Sequence, residues 1–391
     1  MRITIYKKIA ITMFLVMLAA PVVLRAFGLG VVQTRLNEKR TLAVFPTAYS
    51  DTISNEISKW FADNAPFRES AIEKDNRVAQ INNRYYYSGL GTAIKTVATP
   101  SWYKASGGQE YYPLFVKNQV AYGRQDWLFY EGEYNLDFYR GANVLGKDTM
   151  KEWRDIYEEL DAICKNKGID LVVLIAPNKE QVYPGRMASL KIRNENKRED
   201  RFSEYMKDSG VTYLYPLDEM KEAGTRFDTY WQQDTHWNSY GAYIGARCIY
   251  DVLGIRSPST KEIQIRSRKK TGGDLSDMCG YATEYEAPEI DYKKDVEVYS
   301  DIRDNIEIYR SSANTGRNLV LVSDSFRESI RKYFARDFDA CTSLHRDFLE
   351  SEIATGAIRG LGDGDVLVLL AVERYDAANV DTAMRIIDIL N

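Results

Sequence analysis

Two segments of the sequence carry residue types that could work together in nucleophilic chemistry. The first contains Asp234 and, two residues later, His236, one of only two histidines in the chain. The carboxylate can hold an imidazole N–H and support the positive charge when the ring takes a proton. The second segment contains Ser325, which follows the apolar run NLVLV at residues 318–322 and precedes an apolar-striped helical pattern. A serine at such a turn is exposed near the positive end of a helix, which favours a developing oxyanion.

The residues after His236 predict its environment. A helix is expected to begin near Asn238 or Ser239, and its positive end should lower the pKa of His236 so that the ring stays a neutral base. Trp237 is expected to wall one side of the site and to exclude water. The alternative is that Asp234 and its neighbours are only helix caps and that His236 is a solvated loop residue, because an Asp-x-His triplet alone has low specificity.

Two further alternatives remain open at this stage. The sequence Ser325-Phe326-Arg327-Glu328 fits S-x-x-E, the pattern of a capping box, so Ser325 could simply cap a helix. His345 is a competing base, with Asp347 two residues after it. We favour His236 because it has an acid before it, a tryptophan beside it and a helix start after it.

The elements that must position these residues follow from hydrophobic periodicity. An apolar helical stripe runs from Met150 to Cys164 and is followed by a short apolar run that is typical of a buried strand. Alternation of such stripes and runs predicts an α/β fold with a mainly parallel sheet. The predicted strands are 169–176, 212–215, 318–322 and 365–372, and the further helices are 239–253, 326–335 and 379–390.

Chemistry in a parallel α/β sheet sits at the carboxyl ends of the strands. Three segments follow the predicted strands directly, and we expect them at that edge: APNK at 176–179, SDSF at 323–326 and ERY at 373–375. The rule therefore places Ser325 among them.

The N-terminus has the pattern of an export signal. Arg2, Lys7 and Lys8 precede an uncharged apolar run at 9–24, with a basic flank typical of a signal sequence or membrane anchor. We favour an uncleaved anchor with the bulk of the chain exported, because Pro21 follows the small residues of the possible cleavage site. The predicted domains are an anchor at 1–32, a helical juxtamembrane stalk at 33–98 and a catalytic domain at 99–391.

Composition excludes several other classes of protein. A net charge of −4 with mixed signs leaves no basic stripe, so nucleic acid is not an expected partner. Two distant histidines and four widely spaced cysteines without a C-x-x-C pair argue against zinc. The cysteines could form disulfides in an exported protein or remain buried thiols. No metal and no organic cofactor is predicted.

Short motifs in a fixed order give the sequence a family resemblance. DTHW at 234–237 with DSF downstream at 324–326 resembles the DHHW family and the alginate O-acetylation proteins AlgX and AlgJ. The resemblance implies their SGNH hydrolase-like fold, a flavodoxin-like three-layer α/β/α sandwich with permuted motif order. Seven further segments resemble family motifs: NEKRTLAVFP at 37–46, FADNAPFR at 61–68, GRQDWLFY at 123–130, IAPNKEQVYP at 175–184, GGDLSDM at 272–278, HRDF at 345–348 and VERY at 372–375.

Carried over residue by residue, the resemblance implies Ser325 as nucleophile, His236 as general base and Asp234 as its orienting acid. Oxyanion or substrate contacts are expected from five residues at matching or adjacent motif positions: Gly273, Arg346, Trp237, Lys179 and Asn178. Gly273 and Arg346 are favoured among them. For Lys179 and Arg374 a salt bridge to Glu373 or Asp274 is an equal alternative. The sequence departs from the family at Ser323, where the family has glycine.

The function that the resemblance implies is acetyl transfer through a serine acyl-enzyme onto an exopolysaccharide or cell-envelope glycan. A multi-span membrane acyltransferase would be the partner that delivers acetyl groups across the bilayer, and the catalytic domain would lie outside the cytoplasm. One alternative is an esterase that uses the same three residues with water as acceptor. Another is an anchored glycan-binding or scaffold protein without activity.

Overall fold

The computed structural model describes Trp60 and residues 99–105, 111–258, 262–293, 296–303 and 305–391. Apart from Trp60, these residues belong to one compact unit, Ala93–Asn391. The predicted anchor at 1–32 and nearly all of the predicted stalk at 33–98 lie outside the described residues. None of the helices in the described ranges combines the length and the apolar character that a membrane span requires.

A mixed sheet of seven strands organises the fold, in the order β5-β4-β12-β10-β11-β9-β8. Neighbouring strands from β5 to β11 are parallel, whereas β9 and β8 run antiparallel at one edge. A small sheet β1-β2-β3 and a hairpin β6-β7 complete the strands. The strands are β1 Val116–Lys117, β2 Val120–Tyr122, β3 Leu128–Tyr130, β4 Asp170–Ala176, β5 Thr212–Leu214, β6 Ile263–Thr271, β7 Glu284–Tyr292, β8 Val298–Arg303, β9 Ile306–Ser311, β10 Asn318–Ser323, β11 Ala340–His345 and β12 Val366–Val372.

Helices cover both faces of the large sheet. The α-helices are α1 Ser101–Ala105, α2 Asn135–Arg140, α3 Lys147–Asn166, α4 Lys179–Val182, α5 Arg198–Met206, α6 Leu217–Gly224, α7 Ser239–Leu253, α8 Asp274–Cys279, α9 Arg327–Asp337, α10 Glu352–Arg359 and α11 Asp376–Leu390. Short 3-10 turns occupy Arg124–Asp126, Pro184–Arg186, Arg346–Phe348 and Glu373–Tyr375.

Alternation along the central strands produces the three layers. In β4, Val173 and Ile175 pack against α3, α5, α10 and α11, whereas Val172 and Leu174 pack against α6, α7 and α9. Successive side chains of a strand point to opposite faces, so a fully apolar strand must be covered on both sides. The structure therefore confirms the predicted α/β fold with a mainly parallel sheet and helices on both faces.

The sequence predicted the strands from β5 to β10 and missed the three strands on the other side of β10. Strands β4, β5, β10 and β12 lie within a residue or two of the predicted ranges, whereas β8, β9 and β11 were not predicted. The missed strands are half-exposed or carry polar residues, as in ACTSLH at 340–345, so they lack a continuous apolar run. All four cysteines, which lie in the described ranges, are free thiols.

Candidate active site

The loop before α7 places His236 at the carboxyl edge of the sheet. The loop is closed by an isolated bridge between Tyr230 and Trp237, and the N–H of Trp231 donates to the carbonyl of His236 at 3.2 Å. Asn238 then caps α7, because its side chain accepts the N–H groups of Tyr240 and Gly241. The predicted helix start is confirmed.

The turn after β10 presents Ser325, which is half-buried. Asp324 fixes this turn: one carboxylate oxygen accepts the Phe326 N–H and the other accepts the Val372 N–H of β12, both at 2.9 Å. Helix α9 begins at Arg327 and has no side-chain cap, so the capping-box interpretation of Ser325 is wrong. Because Asp324 holds the turn, the Ser325 hydroxyl is available for another partner.

The structure brings the three predicted catalytic side chains into one hydrogen-bonded chain. His236 Nδ1 lies 2.7 Å from Asp234 Oδ1, and His236 Nε2 lies 2.7 Å from Ser325 Oγ. With the ring proton on Nδ1, the imidazole donates to the carboxylate and accepts the serine O–H. This is the arrangement in which a serine can lose its proton to a general base as it attacks an acyl carbon.

A second carboxylate, which the sequence analysis did not assign to the site, also faces the imidazole. Asp274 Oδ2 lies 3.5 Å from His236 Nδ1, and the same side chain accepts the N–H and hydroxyl of Thr235 at 2.7 and 2.5 Å. The sequence analysis considered Asp274 only as a salt-bridge partner. Its place in GGDLSDM, beside the glycine that was selected, was the signal that could have identified it.

The pKa of His236 is raised, and the predicted lowering is wrong. Burial opposes the charged ring, but hydrogen bonds to Asp234 and Asp274 and the charges of both carboxylates raise the pKa of His236 to about 9. Burial also acts against ionisation of Asp234, yet the His236 ring and backbone N–H hold the pKa of that carboxyl well below its usual range. A helix N-terminus alone is a weaker influence than two carboxylates at contact distance.

Trp237 supports the site from the protein interior. Its side chain is fully buried, its indole N–H donates to the Phe326 carbonyl at 3.0 Å, and the Phe326 ring lies 5.2 Å from the His236 ring. A fully buried side chain cannot contact a substrate, so the prediction that Trp237 walls the site is wrong. The indole instead joins the His236 loop to the Ser325 turn.

The Lys179 side chain holds the loop that carries Asp234 through hydrogen bonds to backbone carbonyl groups. The buried ammonium donates to the carbonyls of Leu128, Gln232 and Asp234 at 2.7 to 3.0 Å. Burial lowers the pKa of Lys179 to about 7. The suggested salt bridge to Glu373 or Asp274 is absent from the described residues, and the amine is not placed to contact a substrate.

Asn178 and Gly273 also hold the site together. Asn178 is fully buried, and its backbone N–H donates to Glu373 at 2.8 Å, joining the carboxyl ends of β4 and β12. Gly273 lies so close to the Asp234 loop that a Cβ would be 2.6 Å from the Gln233 carbonyl oxygen. Its N–H donates to Ser276 Oγ at 2.8 Å, so this N–H is not available to an oxyanion.

Two arginines lie beside the Ser325 turn. Arg346 Nη1 is 3.7 Å from Asp324 Oδ2, and the guanidinium stacks over the Tyr375 ring at 4.5 Å. Arg374 stacks over the same ring at 5.3 Å and lies 3.8 Å from Glu133. The partner of Arg374 is therefore Glu133, in place of the acids that the sequence suggested.

The competing histidine does not reach the serine. His345 Nδ1 lies 3.3 Å from both the backbone N–H nitrogen and a carboxylate oxygen of Asp347.

Among the described residues, Asp234, His236 and Asp274 also form a group whose ligand-type atoms lie within 4.8 Å of one another. Hydrogen bonds within the site already engage these atoms, and the absence of a cofactor stays a prediction.

Comparisons with known proteins show which proteins this chain is similar to. Residues 120–309 match the model of the SGNH hydrolase-like domain of the acetyltransferase AlgX. The chain is 27% identical over 193 residues to the probable alginate O-acetylase AlgJ of Pseudomonas fluorescens. That alignment covers 47% of this chain and 46% of the relative, so the chain spans about half the length of the curated relative that it matches. The resemblance to AlgX- and AlgJ-type acetyltransferases is confirmed.

Solved structures provide further similar chains. A DHHW family protein from Eubacterium siraeum is 12% identical, with 70% of this chain and 97% of that chain covered and a TM-score of 0.48. The O-acetyltransferase domain of Pseudomonas putida AlgJ is 14% identical, with 68% and 99% covered and a TM-score of 0.43. The segment matched by the family model contains Asp234, His236 and Asp274, whereas Ser325 and Arg346 lie beyond its end.

Proposed function

We propose that this protein is a membrane-anchored O-acetyltransferase that works outside the cytoplasm on hydroxyls of an exopolysaccharide or cell-envelope glycan. The observation that carries the proposal is the chain of hydrogen bonds from Asp234 through His236 to Ser325, each 2.7 Å long. The similarity to acetyltransferases of the AlgX and AlgJ type supports acetyl as the transferred group.

The reaction proceeds in two similar halves. His236 Nε2 takes the proton of Ser325 as Oγ bonds to the acetyl carbon, and collapse of the tetrahedral intermediate leaves an acetyl-serine while His236 returns the proton to the leaving group. A sugar hydroxyl then attacks the acetyl-serine while His236 Nε2 takes its proton; the bond between Ser325 Oγ and the acetyl carbon breaks, and His236 returns the proton to Ser325 Oγ. Asp234 keeps the ring oriented throughout and offsets its charge.

Arg346 is the group that we assign to the intermediate's oxyanion or to the substrate. Its side chain is 15% exposed and lies next to the turn that carries Ser325; the buried Nη1 faces Asp324 at 3.7 Å and makes no hydrogen bond within the described residues. A charged donor that is already in place beside the nucleophile costs little reorganisation when negative charge develops. Gly273, whose N–H is engaged, has a supporting role in this scheme.

The location and the partners form part of the same proposal. The basic residues and apolar run at the N-terminus support an anchor, with the domain on the outer side of the membrane. A soluble domain there has no cytoplasmic acetyl donor, so a multi-span membrane acyltransferase would have to supply the acetyl group. The acceptor glycan is the third component.

The test compares chromosomal variants in the native host. Ser325→Ala should abolish acetylation of the glycan, whereas Ser329→Ala, on the half-buried side of α9, should leave the acetyl content of the glycan unchanged. The readout is acetyl released by mild alkali per sugar residue. A rise in acetyl content in the Ser325 variant would indicate an esterase, and an unchanged content would remove the serine from the function.

A further inference from the structure

The imidazole of His236 has two carboxylates on the side opposite Ser325. Asp234 comes from the same loop, two residues before the histidine, and contacts Nδ1 at 2.7 Å. Asp274 comes from the first residue of α8, between the two strands of the β6-β7 hairpin, and lies 3.5 Å from the same nitrogen. Two separate elements therefore deliver negative charge to one ring atom.

The second carboxylate is fixed in place by the residue between Asp234 and His236. Thr235 donates its N–H to Asp274 Oδ1 at 2.7 Å and its hydroxyl to Asp274 Oδ2 at 2.5 Å. In return, the N–H of Asp274 donates to Asp234 Oδ2 at 3.2 Å. The two acids and the histidine thus form one closed network, and Asp274 cannot move away from the ring without breaking these bonds.

We propose that Asp274 is a second positioning acid, which shares with Asp234 the stabilisation of the His236 imidazolium that forms when Ser325 gives up its proton. This inference rests on the proposed function, because it assumes that His236 is the base. The proton moves from Ser325 Oγ to His236 Nε2 as the Oγ–acyl bond forms, and it leaves Nε2 when the bond to the leaving group breaks. Asp274 takes no proton; its negative charge stabilises the positive charge of the His236 ring.

Few other charges act on the ring. Burial favours the neutral imidazole, and the opposing contributions come from Asp234 and Asp274, which together raise the pKa of His236 to about 9. The ammonium of Lys179 lies beneath the Asp234 loop, the Phe326 ring packs on the imidazole, and Arg374 stacks behind Phe326 at 5.9 Å. Tyr285 also lies near both acids, and its hydroxyl donates to the Gly272 carbonyl.

If Asp234 and Asp274 both stabilise the imidazolium, the effect of replacing Asp234 should be partial. If Asp234 alone oriented and stabilised the ring, its replacement by asparagine would remove that support entirely. With Asp274 held nearby, Asp234→Asn should retain measurably more activity than the Asp234→Asn/Asp274→Asn double variant. The two single effects should therefore not add, because each acid partly replaces the other.

The experiment measures how His236 titrates in the full chain. The pH dependence of kcat/KM for p-nitrophenyl acetate and the pH dependence of diethyl pyrocarbonate modification of His236, followed by peptide mass spectrometry, both report the neutral ring. Asp274→Asn should move both midpoints down by about 1 pH unit or more, since an opposite charge is lost from the ring's immediate surroundings. Asp277→Asn removes a charge from an exposed position of the same helix and should move neither midpoint.

Unchanged midpoints in a folded Asp274→Asn protein would overturn the proposal. Should that variant fail to fold, as judged by circular dichroism, Asp274→Ser removes the same charge with a smaller side chain and is held to the same shift. Asp274→Glu, which keeps the charge, should restore most of the activity. Ser325→Ala separates the two hypotheses: retained esterase activity in that variant refutes the proposed function, whereas the modification midpoint of His236 still decides the role of Asp274.

Discussion

The two histidines of this chain stand in nearly the same sequence setting and in different physical ones. Each has an aspartate two residues away; His236 lies in the loop before α7, and His345 is the last residue of β11. Asp234 is largely buried beside His236, with only 17% of its side chain exposed, whereas Asp347 is 71% exposed beside His345. The exposed acid is screened by water, so it cannot offset the burial of its histidine.

The pKa values of the two rings diverge accordingly. Hydrogen bonds to two acids overcome burial and raise the pKa of His236 to about 9. Burial lowers the pKa of His345, and Arg346 and Arg327 add to this effect against Asp347. The comparison teaches that an aspartate two residues from a histidine raises the pKa of the ring only where the surrounding fold buries the acid, and that only His236 has a serine hydroxyl at its other ring nitrogen among the described residues.

Replacing each histidine by asparagine should give the largest difference in activity between the two sites. His236→Asn should lower kcat/KM for an acetyl ester on the order of 10³-fold, because the general base is lost. His345→Asn should stay within about twofold, as its ring pairs with the exposed Asp347 and lies beside the Phe348 ring, away from the Ser325 hydroxyl that His236 contacts. Steady-state hydrolysis of p-nitrophenyl acetate measures both, and comparable losses in the two variants would contradict the distinction.

Lys179 tests whether the loop of His236 depends on its buried support. Lys179→Met removes the buried donor to three carbonyl groups and should lower the free energy of unfolding by about 2–4 kcal/mol. Urea denaturation measures the change. Lys207→Met is the control: this lysine pairs with Glu204 on the surface, and its removal should cost less than about 1 kcal/mol. Equal midpoints for the two variants would show that the buried amine is dispensable.

Gly273 tests the packing between α8 and the Asp234 loop. In Gly273→Ala the added Cβ would meet the Gln233 carbonyl oxygen at 2.6 Å and Asp234 Cβ at 2.7 Å, so the loop must shift. A misplacement of the acid by a few tenths of an ångström to 1 Å should lower kcat up to about 10²-fold. Gly185→Ala, with no atom within 4 Å of its Cβ, should be neutral. Full activity in Gly273→Ala would mean that the loop position is not critical.

The rates at which the two rings react with diethyl pyrocarbonate sharpen the comparison further. Only a neutral imidazole reacts, so at pH 7.5 His345 should be modified about thirtyfold faster than His236 when both are comparably exposed. Their side chains are 25% and 28% exposed, which makes the comparison fair. Above pH 9 the rates should converge. Faster modification of His236 at neutral pH would contradict the raised pKa.

The raised pKa of His236 also implies a direction for stability. A pKa that is higher in the folded than in the unfolded state stabilises the fold fully below about pH 6.5, and this contribution is lost as the pH rises through about 9. Asp234 and Asp274, which would support the proposed catalysis, therefore favour the charged form of His236 in the resting protein. Activity should rise with pH over the range in which this stabilisation declines.

The sequence predicted the parts of the molecule whose signals are local. Apolar runs identified β4, β10 and β12, and the rule of strand carboxyl ends placed the segments with Asn178, Ser325 and Glu373 at one edge, where hydrogen bonds now join Asn178 to Glu373. Spacing and motif similarity selected Asp234 and His236. The capping-box pattern at Ser325 misled because the Ser325 hydroxyl contacts His236 Nε2, and α9 begins at Arg327 without a side-chain cap.

The contacts that the sequence could not predict are those between distant segments. Asp274 lies between the strands of a hairpin that has no apolar run, and Lys179 donates to carbonyl groups of strand β3 and of the Asp234 loop. Trp237 is buried between its own loop and the Ser325 turn, where its indole N–H donates to the Phe326 carbonyl. No local sequence pattern indicates this contact. The pKa of His236 depends on these contacts, so its direction could be determined only from the fold.

Trapping of the acyl-enzyme tests the central claim most directly. The full chain is incubated with p-nitrophenyl acetate, quenched with acid and digested, and the site of acetylation is located by mass spectrometry. The account predicts one acetyl group on Ser325, lost in Ser325→Ala and strongly reduced in His236→Asn. Acetyl groups confined to surface lysines or tyrosines, with none on Ser325 while the ester is still turned over, would contradict it.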